Sequence, residues 1–481
     1  MLTRVLFAAA LTWVPVLGAQ SALTWSPHVL ALSDGRRVDA ERATVQVPEN
    51  RRVPNSRMIQ LALIRLRSRA TNPGRPILHL GGAPSGAATS AVLQIAPFFP
   101  FFDALRESSD LITVDYRGSG LSTPRLACPP ATTVSAHAFA TRANALALWS
   151  DNGRACLAAT RAANVDLDGY TWADVADDVD DIRRALGVPA LDLVGFSSGT
   201  HAMLATLQRH PQAAARLVFL GTEGLDDTRK LPSVVDRQLA VIAELLRADP
   251  EYSRQLPDFT ATVREVLDRA EREPFMVDVR LPGSGERLTG PIGKFALQFV
   301  TAKSLSGPDE FDMLPRLFLS LSRGDVSVLR SVVQRFLDRP PAGPLAFVLD
   351  GASGASAVRA ATIQREAATA LLGDAANFPF PEIASVWNIR DLGDAYRQPV
   401  RSDLPALFIT GTLDGNTPFD QAERVRAGFP NSVHVTIQRG GHTAAFTSVE
   451  TARTIARFLR GESVDNVSLT APAIRFAPMR R

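Results

Sequence analysis

The chain has 481 residues, of which 46% are hydrophobic and 21% are charged, as is usual for a folded globular protein. Its length allows up to about three domains, or one large α/β domain that carries an insertion. The formal net charge is only +3 and the basic residues form no long run, so nothing in the sequence indicates a nucleic-acid partner.

The N-terminus has the pattern of a secretory signal peptide. Arg4 precedes a mostly apolar stretch over residues 5–17, and small residues follow, beginning with Gly18. This order is typical of such leaders, and we expect cleavage between about Gly18 and Ala22. We therefore assign residues 1–22 to a signal peptide and expect a periplasmic or secreted protein. A buried N-terminal helix is the alternative.

Two further features of the sequence bear on the compartment. No later stretch approaches the ~20 uninterrupted apolar residues of a membrane-spanning helix, so we expect no stable membrane insertion. Cysteines are absent near the expected cleavage site, which argues against a lipid anchor. Cys128 and Cys156 are the two cysteines, and in an exported protein we predict that they form a disulfide. Two buried free thiols are the alternative.

The body of the chain alternates short apolar runs with helical patterns. This alternation predicts β-α-β units and a mainly parallel sheet. A helix is predicted over residues 171–186, with a capping start at Thr171 and a stop at Gly187. The predicted strands span residues 57–65, 76–80, 111–115, 191–194, 216–220, 406–410 and 433–438.

Residues 225–400 differ in character from the segments on either side. Helical periodicity dominates there, as in residues 235–246, and strand-like runs are few. Because this stretch lies between two predicted core strands, it indicates an inserted helical lid rather than a linker. We predict an α/β core in two parts, residues 23–224 and 401–481. The lid would cover the carboxyl edge of the sheet, where α/β folds place ligands.

The segment GFSSG, residues 195–199, matches the G-x-S-x-G nucleophile elbow. A predicted strand precedes it and a predicted helix follows it, so the flanking glycines allow a tight turn that exposes the hydroxyl of Ser197. The positive N-terminus of that helix would stabilise developing negative charge. A Gly/Ser-rich connecting loop is the alternative interpretation.

A serine nucleophile needs a base that is held by an acid, and in this type of fold the order is serine, acid, histidine. Asp414 follows the predicted strand 406–410, and His442 follows the strand 433–438. Both positions are strand-end loops, and we predict a triad of Ser197, Asp414 and His442. His201 is an alternative base and Glu223 an alternative acid.

The tetrahedral intermediate of acyl transfer requires two backbone N–H donors. One is predicted at Ser198, directly after the nucleophile. The other is predicted at Gly82 or Ala83, in the loop after the strand 76–80. A flexible glycine turn is the alternative for that loop. The sequence shows no His/Cys/Asp cluster with metal-ligand spacing, so a metal is not expected.

Four motifs together resemble the proline iminopeptidase and tripeptidyl aminopeptidase branch of the α/β-hydrolases. Residues 115–122 are similar to its D-x-R-G-x-G-x-S signature, and residues 195–200 to its G-x-S-x-G-T. Residues 411–418 resemble its acid loop, and residues 441–442 its base loop. The resemblance covers the core, roughly residues 35–223 and 385–460.

The resemblance implies an α/β-hydrolase fold and an exported serine hydrolase that removes N-terminal residues from peptides without a cofactor. A carboxylate must then hold the substrate ammonium group; Glu223 and the acidic residues within 309–312 are candidates. A carboxylesterase or lactonase is the alternative, and a non-catalytic binding protein a third. Two positions depart from the family pattern and bear on substrate preference: GGAPSG at 81–86 replaces G-G-P-G, and Ser198 replaces an aromatic residue.

Overall fold

The computed structural model describes residues 23–82, 89–129, 134–282, 284–338 and 343–478. The predicted signal peptide and Ala83 lie outside the described residues. Within these ranges, no helix combines the length and the apolar character that crossing a membrane requires.

The strands of the described residues are β1 (Ser26–Ala31), β2 (Arg37–Pro48), β3 (Met58–Leu66), β4 (Ile77–Leu80), β5 (Leu111–Asp115), β6 (Leu191–Ser197), β7 (Ala214–Thr222), β8 (Phe275–Arg280), β9 (Arg287–Ile292), β10 (Ala406–Gly411), β11 (Ser432–Gln438) and β12 (Leu469–Thr470). Ten of them form one sheet in the order β1-β2-β3-β5-β4-β6-β7-β10-β11-β12, and β8 and β9 pair separately. From β5 to β12 every neighbouring pair in this order is parallel. The remaining pairs, from β1 to β5, are antiparallel. The sheet is therefore mainly parallel, as predicted.

The helices are α1 (Phe99–Leu105), α2 (Arg142–Ala162), α3 (Trp172–Ala185), α4 (Ser198–Arg209), α5 (Pro232–Ala248), α6 (Tyr252–Gln255), α7 (Phe259–Arg272), α8 (Lys294–Lys303), α9 (Pro308–Phe311), α10 (Leu314–Ser322), α11 (Ser327–Asp338), α12 (Pro344–Ser353), α13 (Ala357–Ala367), α14 (Glu382–Trp387), α15 (Phe419–Arg426) and α16 (Val449–Leu459). Helix α3 matches the predicted helix. Its capping box joins the Thr171 hydroxyl and the Asp174 carboxylate to each other's backbone N–H, which satisfies two donors of the first turn.

Helices cover both faces of the sheet. On one face, α3 and α4 pack with the apolar side chains of the central strands. On the other face, α1 and α16 pack against the same strands. Because both faces are covered, the central strands consist almost entirely of buried residues, as in β5 and β10.

The segment between β7 and β10 has two parts with different packing. Helices α5, α7, α8, α10 and α11 share a hydrophobic cluster with β8 and β9. Helices α12 and α14 instead join the cluster of the sheet, through residues such as Phe347 and Trp387. The hairpin of β8 and β9 is a difference from the helical character expected of this segment. In β8 the buried residues Phe275, Val277 and Val279 alternate with more exposed ones, which is the two-residue period of a strand.

The D-x-R-G-x-G-x-S signature stabilises the loop after β5. The guanidinium of Arg117 is fully buried and donates 2.7 Å hydrogen bonds to Asp178 of α3 and to the Glu49 carbonyl. The Ser122 hydroxyl donates to the Asp115 carbonyl at 2.6 Å. These contacts hold the loop to α3 and to the end of β2, so the motif has a structural role.

Cys128 and Cys156 form a disulfide, as predicted, and no free cysteine is present among the described residues. The bond joins the segment after β5 to α2, across 28 residues of sequence. Closing a loop of this length stabilises the folded state by about 3 kcal/mol, because it restricts the unfolded chain.

Candidate active site

Ser197 lies at a sharp turn between β6 and α4. Its backbone has φ 54° and ψ −124°, a strained conformation for a residue with a side chain. The turn is tight enough to exclude side chains on both sides. A Cβ on Gly199 would lie 1.9 Å from the Leu80 carbonyl oxygen, and one on Gly195 would lie 2.3 Å from the sulfur of Met203. This geometry is that of a nucleophile elbow.

Backbone N–H groups are available on two sides of Ser197. Helix α4 begins at Ser198, and the N–H groups in the first turn of a helix have no partner within it. The start of the loop after β4 packs against the elbow from the other side, since a Cβ on Gly82 would lie 2.8 Å from the Cβ of Ser197. The predicted donors Ser198 and Gly82 therefore flank the serine.

Asp414 and His442 meet at the ends of the adjacent parallel strands β10 and β11. His442 Nδ1 lies 2.9 Å from Oδ2 of Asp414, which is 3% exposed. The backbone N–H groups of Asn416 and Thr417 each donate to Oδ1 at 2.9 Å, and the Thr417 hydroxyl donates to Oδ2 at 2.6 Å. A proton on Nδ1 facing the carboxylate leaves Nε2 free to accept a proton.

The imidazole of His442 also lies beside the nucleophile elbow. Its ring centroid is 4.7 Å from that of Phe196, the residue before Ser197. A Cβ on Gly221 would lie 3.2 Å from two atoms of the imidazole, so β7 supports the ring from another side. Within the described residues, no hydrogen bond joins the Ser197 hydroxyl to His442. Such bonds are often long in the free enzyme and tighten when substrate binds.

Sequence comparison matches the two parts of this site to two families. Residues 76–272 match the family described as alpha/beta hydrolase fold, and residues 379–469 match that described as TAP-like protein. The first match begins at β4 and contains Ser197, and the second contains Asp414 and His442. The chain has the α/β-hydrolase fold.

Individual proteins similar to this α/β-hydrolase chain share limited sequence. A segment of 176 residues is 28% identical to “Putative hydrolase YuaR” of Escherichia coli (strain K12), covering 36% of this chain and 33% of that protein. The chain thus spans about a third of that relative's length. Similar solved structures include an esterase from Thermogutta terrifontis and a proline iminopeptidase-related protein from Thermus thermophilus. Each is 16% identical, covers 87% of this chain and 98% of its own, and has a TM-score of 0.39.

The alternative base and acid of this hydrolase fold lie close to each other, and Glu223 also interacts electrostatically with His442. His201 is fully buried, and its Nε2 is 2.7 Å from the Tyr396 hydroxyl. Burial lowers the pKa of His201 to about 4. Glu223 approaches His201 Nδ1 only to 3.7 Å, and its other oxygen is 3.2 Å from the ammonium of Lys230. Glu223 and His201 are too far apart for a hydrogen bond, whereas Asp414 and His442 are within 2.9 Å, which favours the latter pair as the acid and base.

Glu223 belongs to a group of charged residues that interact electrostatically with one another, and several of them lie in the insertion between β7 and β10. Burial opposes its ionisation, but the Lys230 ammonium, and after it His201, bring the net pKa below the usual value. Asp350 of α12 is surrounded by protein yet keeps partial contact with solvent. Burial, together with the negative charge of Glu223, raises the pKa of Asp350 to about 6. Lys303 reaches solvent at one side, but the protein around it lowers its pKa to about 8 by desolvation.

Two threonines form hydrogen bonds to the residues of the candidate site, and neither of them is predicted from the sequence to have such a role. The Thr200 hydroxyl donates to the Ser197 carbonyl at 2.6 Å and accepts from the Glu223 N–H at 2.7 Å. Thr417 bonds to the Asp414 carboxylate as described above. For Thr417 a signal exists, because a hydroxyl residue three positions after an aspartate often forms such a local turn. Thr200 connects two loops, and no local pattern reveals that.

Acidic residues within 309–312 are further candidates from the sequence to hold the substrate ammonium group. Asp309 and Glu310 are exposed to solvent on α9. Within the described residues, no cluster of three His, Cys, Asp or Glu side chains could hold a metal ion.

Proposed function

We propose that the protein is a serine hydrolase that acts through an acyl-enzyme. The observation that carries this proposal is the strained Ser197 elbow beside the hydrogen-bonded Asp414–His442 pair. Ser197 would attack a carbonyl carbon while His442 Nε2 takes the hydroxyl proton. The imidazolium would then protonate the leaving group, and Asp414 would stabilise its charge. The N–H groups of Ser198 and Gly82 would bind the oxyanion.

Within this class we propose an aminopeptidase that recognises the free N-terminus of a peptide. Such an enzyme needs a carboxylate near the site to bind the substrate ammonium. Glu223, the candidate from sequence, already pairs with Lys230 at 3.2 Å. The carboxylate of Asp350 interacts electrostatically with Glu223 and also with Arg229, Lys230 and Lys303, but among the described residues it forms no direct ion pair of the kind that Glu223 makes with Lys230. We therefore favour Asp350 as the anchor, because its carboxylate is not already paired as that of Glu223 is.

A carboxylesterase is the second candidate, and an aromatic group supports it. Half-buried Phe295 and Phe299 of α8 pack against Phe378, and their ring centroids lie 4.9 and 5.6 Å, respectively, from that of Phe378. Lys303, whose ammonium is 5.6 Å from the Phe299 ring, belongs to the same charged group as Asp350. An apolar acyl group would find a suitable surface on these rings.

A panel of matched substrates tests both candidates. Amino-acyl arylamides would be assayed with free and with acetylated N-termini, beside short acyl esters, using wild type and Ser197→Ala. We expect turnover of the free amine, loss of turnover on acetylation, and a reduction of about 10⁶-fold in Ser197→Ala. Equal turnover of the acetylated substrate would reject the aminopeptidase. Substantial activity in Ser197→Ala, or no labelling of Ser197 by a fluorophosphonate, would reject the serine mechanism.

We also propose export to the periplasm or beyond. The disulfide supports this location, because disulfides persist in oxidising compartments. Sequencing the N-terminus of the protein purified from its native host tests the proposal. A mature chain that begins between about Gly18 and Ala22 is expected, and a chain that retains Met1 would contradict it.

A further inference from the structure

A short segment between α8 and α9, Leu305 to Gly307, lies directly on the acid loop and the base loop. The backbone N–H of His442 donates to the Ser306 carbonyl at 2.8 Å. A Cβ on Gly441 would lie 2.5 Å from the Cα of Gly307, and a Cβ on Gly415 would lie 2.1 Å from the Leu305 carbonyl oxygen. The segment therefore touches the residues next to both Asp414 and His442.

These contacts are between backbones, which gives them little freedom to adjust. At Gly307 and Gly441 two segments of the backbone approach so closely that neither position has room for a side chain. A Cβ on Gly307 would lie 2.9 Å from the Cα of Gly441. A side-chain contact could be relieved by a change of rotamer, but here a main chain would have to move. The position of the segment is thus coupled to that of His442.

A second element of the insertion reinforces the acid loop. Gln238 of α5 is buried, and its side-chain amide donates to the Leu413 carbonyl at 2.9 Å. Its Cγ would also lie 2.9 Å from a Cβ on Gly415. Helices α5 and α8 share one hydrophobic cluster, which Leu305 and Leu413 also join. The insertion and the acid loop therefore form one packed unit.

We propose that Leu305–Gly307 is a positioning strap that holds the acid and base loops in register with Ser197, so that the insertion controls the competence of the triad as well as access to it. This inference rests on the proposed serine mechanism. The strap residues contact no substrate in this proposal; they act through the backbone of His442 and the Asp414 loop. Displacements of about 1 Å in such positions can reduce a rate about 10²-fold.

Alanine substitutions at the glycine contacts test the strap. Gly441→Ala and Gly307→Ala would insert a methyl group between the two backbones and separate them. The matched control is Gly290→Ala on β9, where a Cβ would lie 2.0 Å from the Ala136 carbonyl oxygen, a similar clash away from the triad loops. The readouts are kcat and KM on the best substrate, the rate of fluorophosphonate labelling of Ser197, and the melting temperature.

We expect Gly441→Ala and Gly307→Ala to lower kcat and the labelling rate by about 10- to 100-fold with KM changed less than about threefold. Gly290→Ala should lower the melting temperature comparably and leave kcat within about threefold of wild type. If all three variants lose the same fraction of activity, or if both strap variants label as fast as wild type, the inference is overturned. Failure of the serine mechanism itself would be distinct, because wild type would then not label at Ser197.

Gln238→Met provides a second route should the glycine variants not fold. Methionine keeps the length and volume of the side chain and removes only the hydrogen bond to the Leu413 carbonyl. We expect kcat to fall about tenfold with KM maintained, since the acid loop loses one of its supports. An unchanged kcat and an unchanged labelling rate in folded Gln238→Met would contradict the coupling of the insertion to the acid loop.

Discussion

The carboxylate of Asp414 and the imidazole of His442 are joined by a 2.9 Å contact between Oδ2 and Nδ1, across 28 residues of sequence. Parallel pairing of β10 with β11 brings the two strand ends together, and the loops that follow carry the two side chains to the same edge. The Asp414 carboxylate also accepts three hydrogen bonds from Asn416 and Thr417, which fix its orientation. Its position toward His442 is therefore set before any substrate binds.

Replacing Asp414 with Asn should reduce kcat by about 10⁴-fold while the fold survives, because the amide no longer stabilises the imidazolium and favours the wrong tautomer. Thr417→Val removes the 2.6 Å hydrogen bond to Oδ2 of Asp414 and should reduce kcat about tenfold. Steady-state kinetics on one substrate would compare these variants with Asp420→Asn, which changes an exposed carboxylate on α15, the helix after the Asp414 loop. A kcat of Asp414→Asn within about tenfold of wild type would exclude Asp414 as the acid.

The central strands of the fold are predictable from the sequence because both faces of a parallel sheet are buried. Runs such as residues 191–194 and 406–410 are largely apolar, and each forms a strand of the sheet. Strands β1 and β2 lie toward the antiparallel edge and mix polar with apolar residues, so their pattern is weak. The β8–β9 hairpin alternates over only six residues per strand, inside a segment dominated by helical periodicity.

The residues of the candidate site are predictable from the sequence for the same reason, whereas those of the insertion are not. Ser197, Asp414 and His442 each follow a recognisable strand, and the shared direction of those strands predicts that their ends meet. Asp350 and Ser306 lie within the insertion, and their positions depend on how its helices pack onto the sheet. That packing joins residues that are far apart in sequence, such as Ser306 and His442, and no local pattern encodes it.

Asp350 should give the binding of N-terminal amines a dependence on pH. Its pKa is raised to about 6 by burial and by the charge of Glu223, so the carboxylate is ionised above about pH 6 and neutral below it. An ammonium group binds the ionised form. We expect KM for a free-amine substrate to rise by up to about tenfold as pH falls from about 7 to about 5, because the ionised fraction falls by that factor, and to be high at all pH values in Asp350→Asn.

The control for this prediction is a substrate without an ammonium group. KM for an acyl ester should change little between wild type and Asp350→Asn, since no cation binds at this position. Glu223→Gln serves as the competing variant: a larger rise in KM for the amine in Glu223→Gln than in Asp350→Asn would make Glu223 the anchor instead.

Arg117→Met should destabilise the fold strongly without changing the chemistry. The buried guanidinium pairs with Asp178 and bonds to the Glu49 carbonyl, and its removal takes a donor from both acceptors, although Arg51 remains 2.6 Å from Asp178. Removing one partner of a buried ion pair costs about 3 to 5 kcal/mol in the free energy of unfolding, and we expect a loss near the lower value because Arg51 still pairs with Asp178. Arg67→Met, at a solvent-exposed pair with Glu41, should leave the free energy of unfolding almost unchanged. Urea denaturation of both variants measures the difference, and equal losses would contradict the structural role of the signature.

His79 of β4 should make the protein sensitive to acid. The imidazole is fully buried beside Phe102 and Phe446, and neither of its nitrogens has a hydrogen-bond partner among the described residues. Burial lowers its pKa from 6.5 to about 4. Between pH 6.5 and about 4 the unfolded chain therefore takes up a proton that the folded chain does not, and the free energy of unfolding falls as the pH falls. A difference of this size corresponds to about 3 kcal/mol.

His79→Leu removes that proton uptake while it keeps an apolar side chain between the two phenylalanines. Wild type should lose about 3 kcal/mol more than His79→Leu on going from about pH 7 to about pH 4, because the substituted position no longer titrates in the unfolded chain. Urea denaturation at a series of pH values measures this difference. His137→Asn, at an exposed histidine, should follow wild type throughout. If His79→Leu shows the same decline as wild type, then His79 is not the group that takes up the proton, and buried His201 becomes the next residue to substitute, since burial lowers its pKa to about 4 as well.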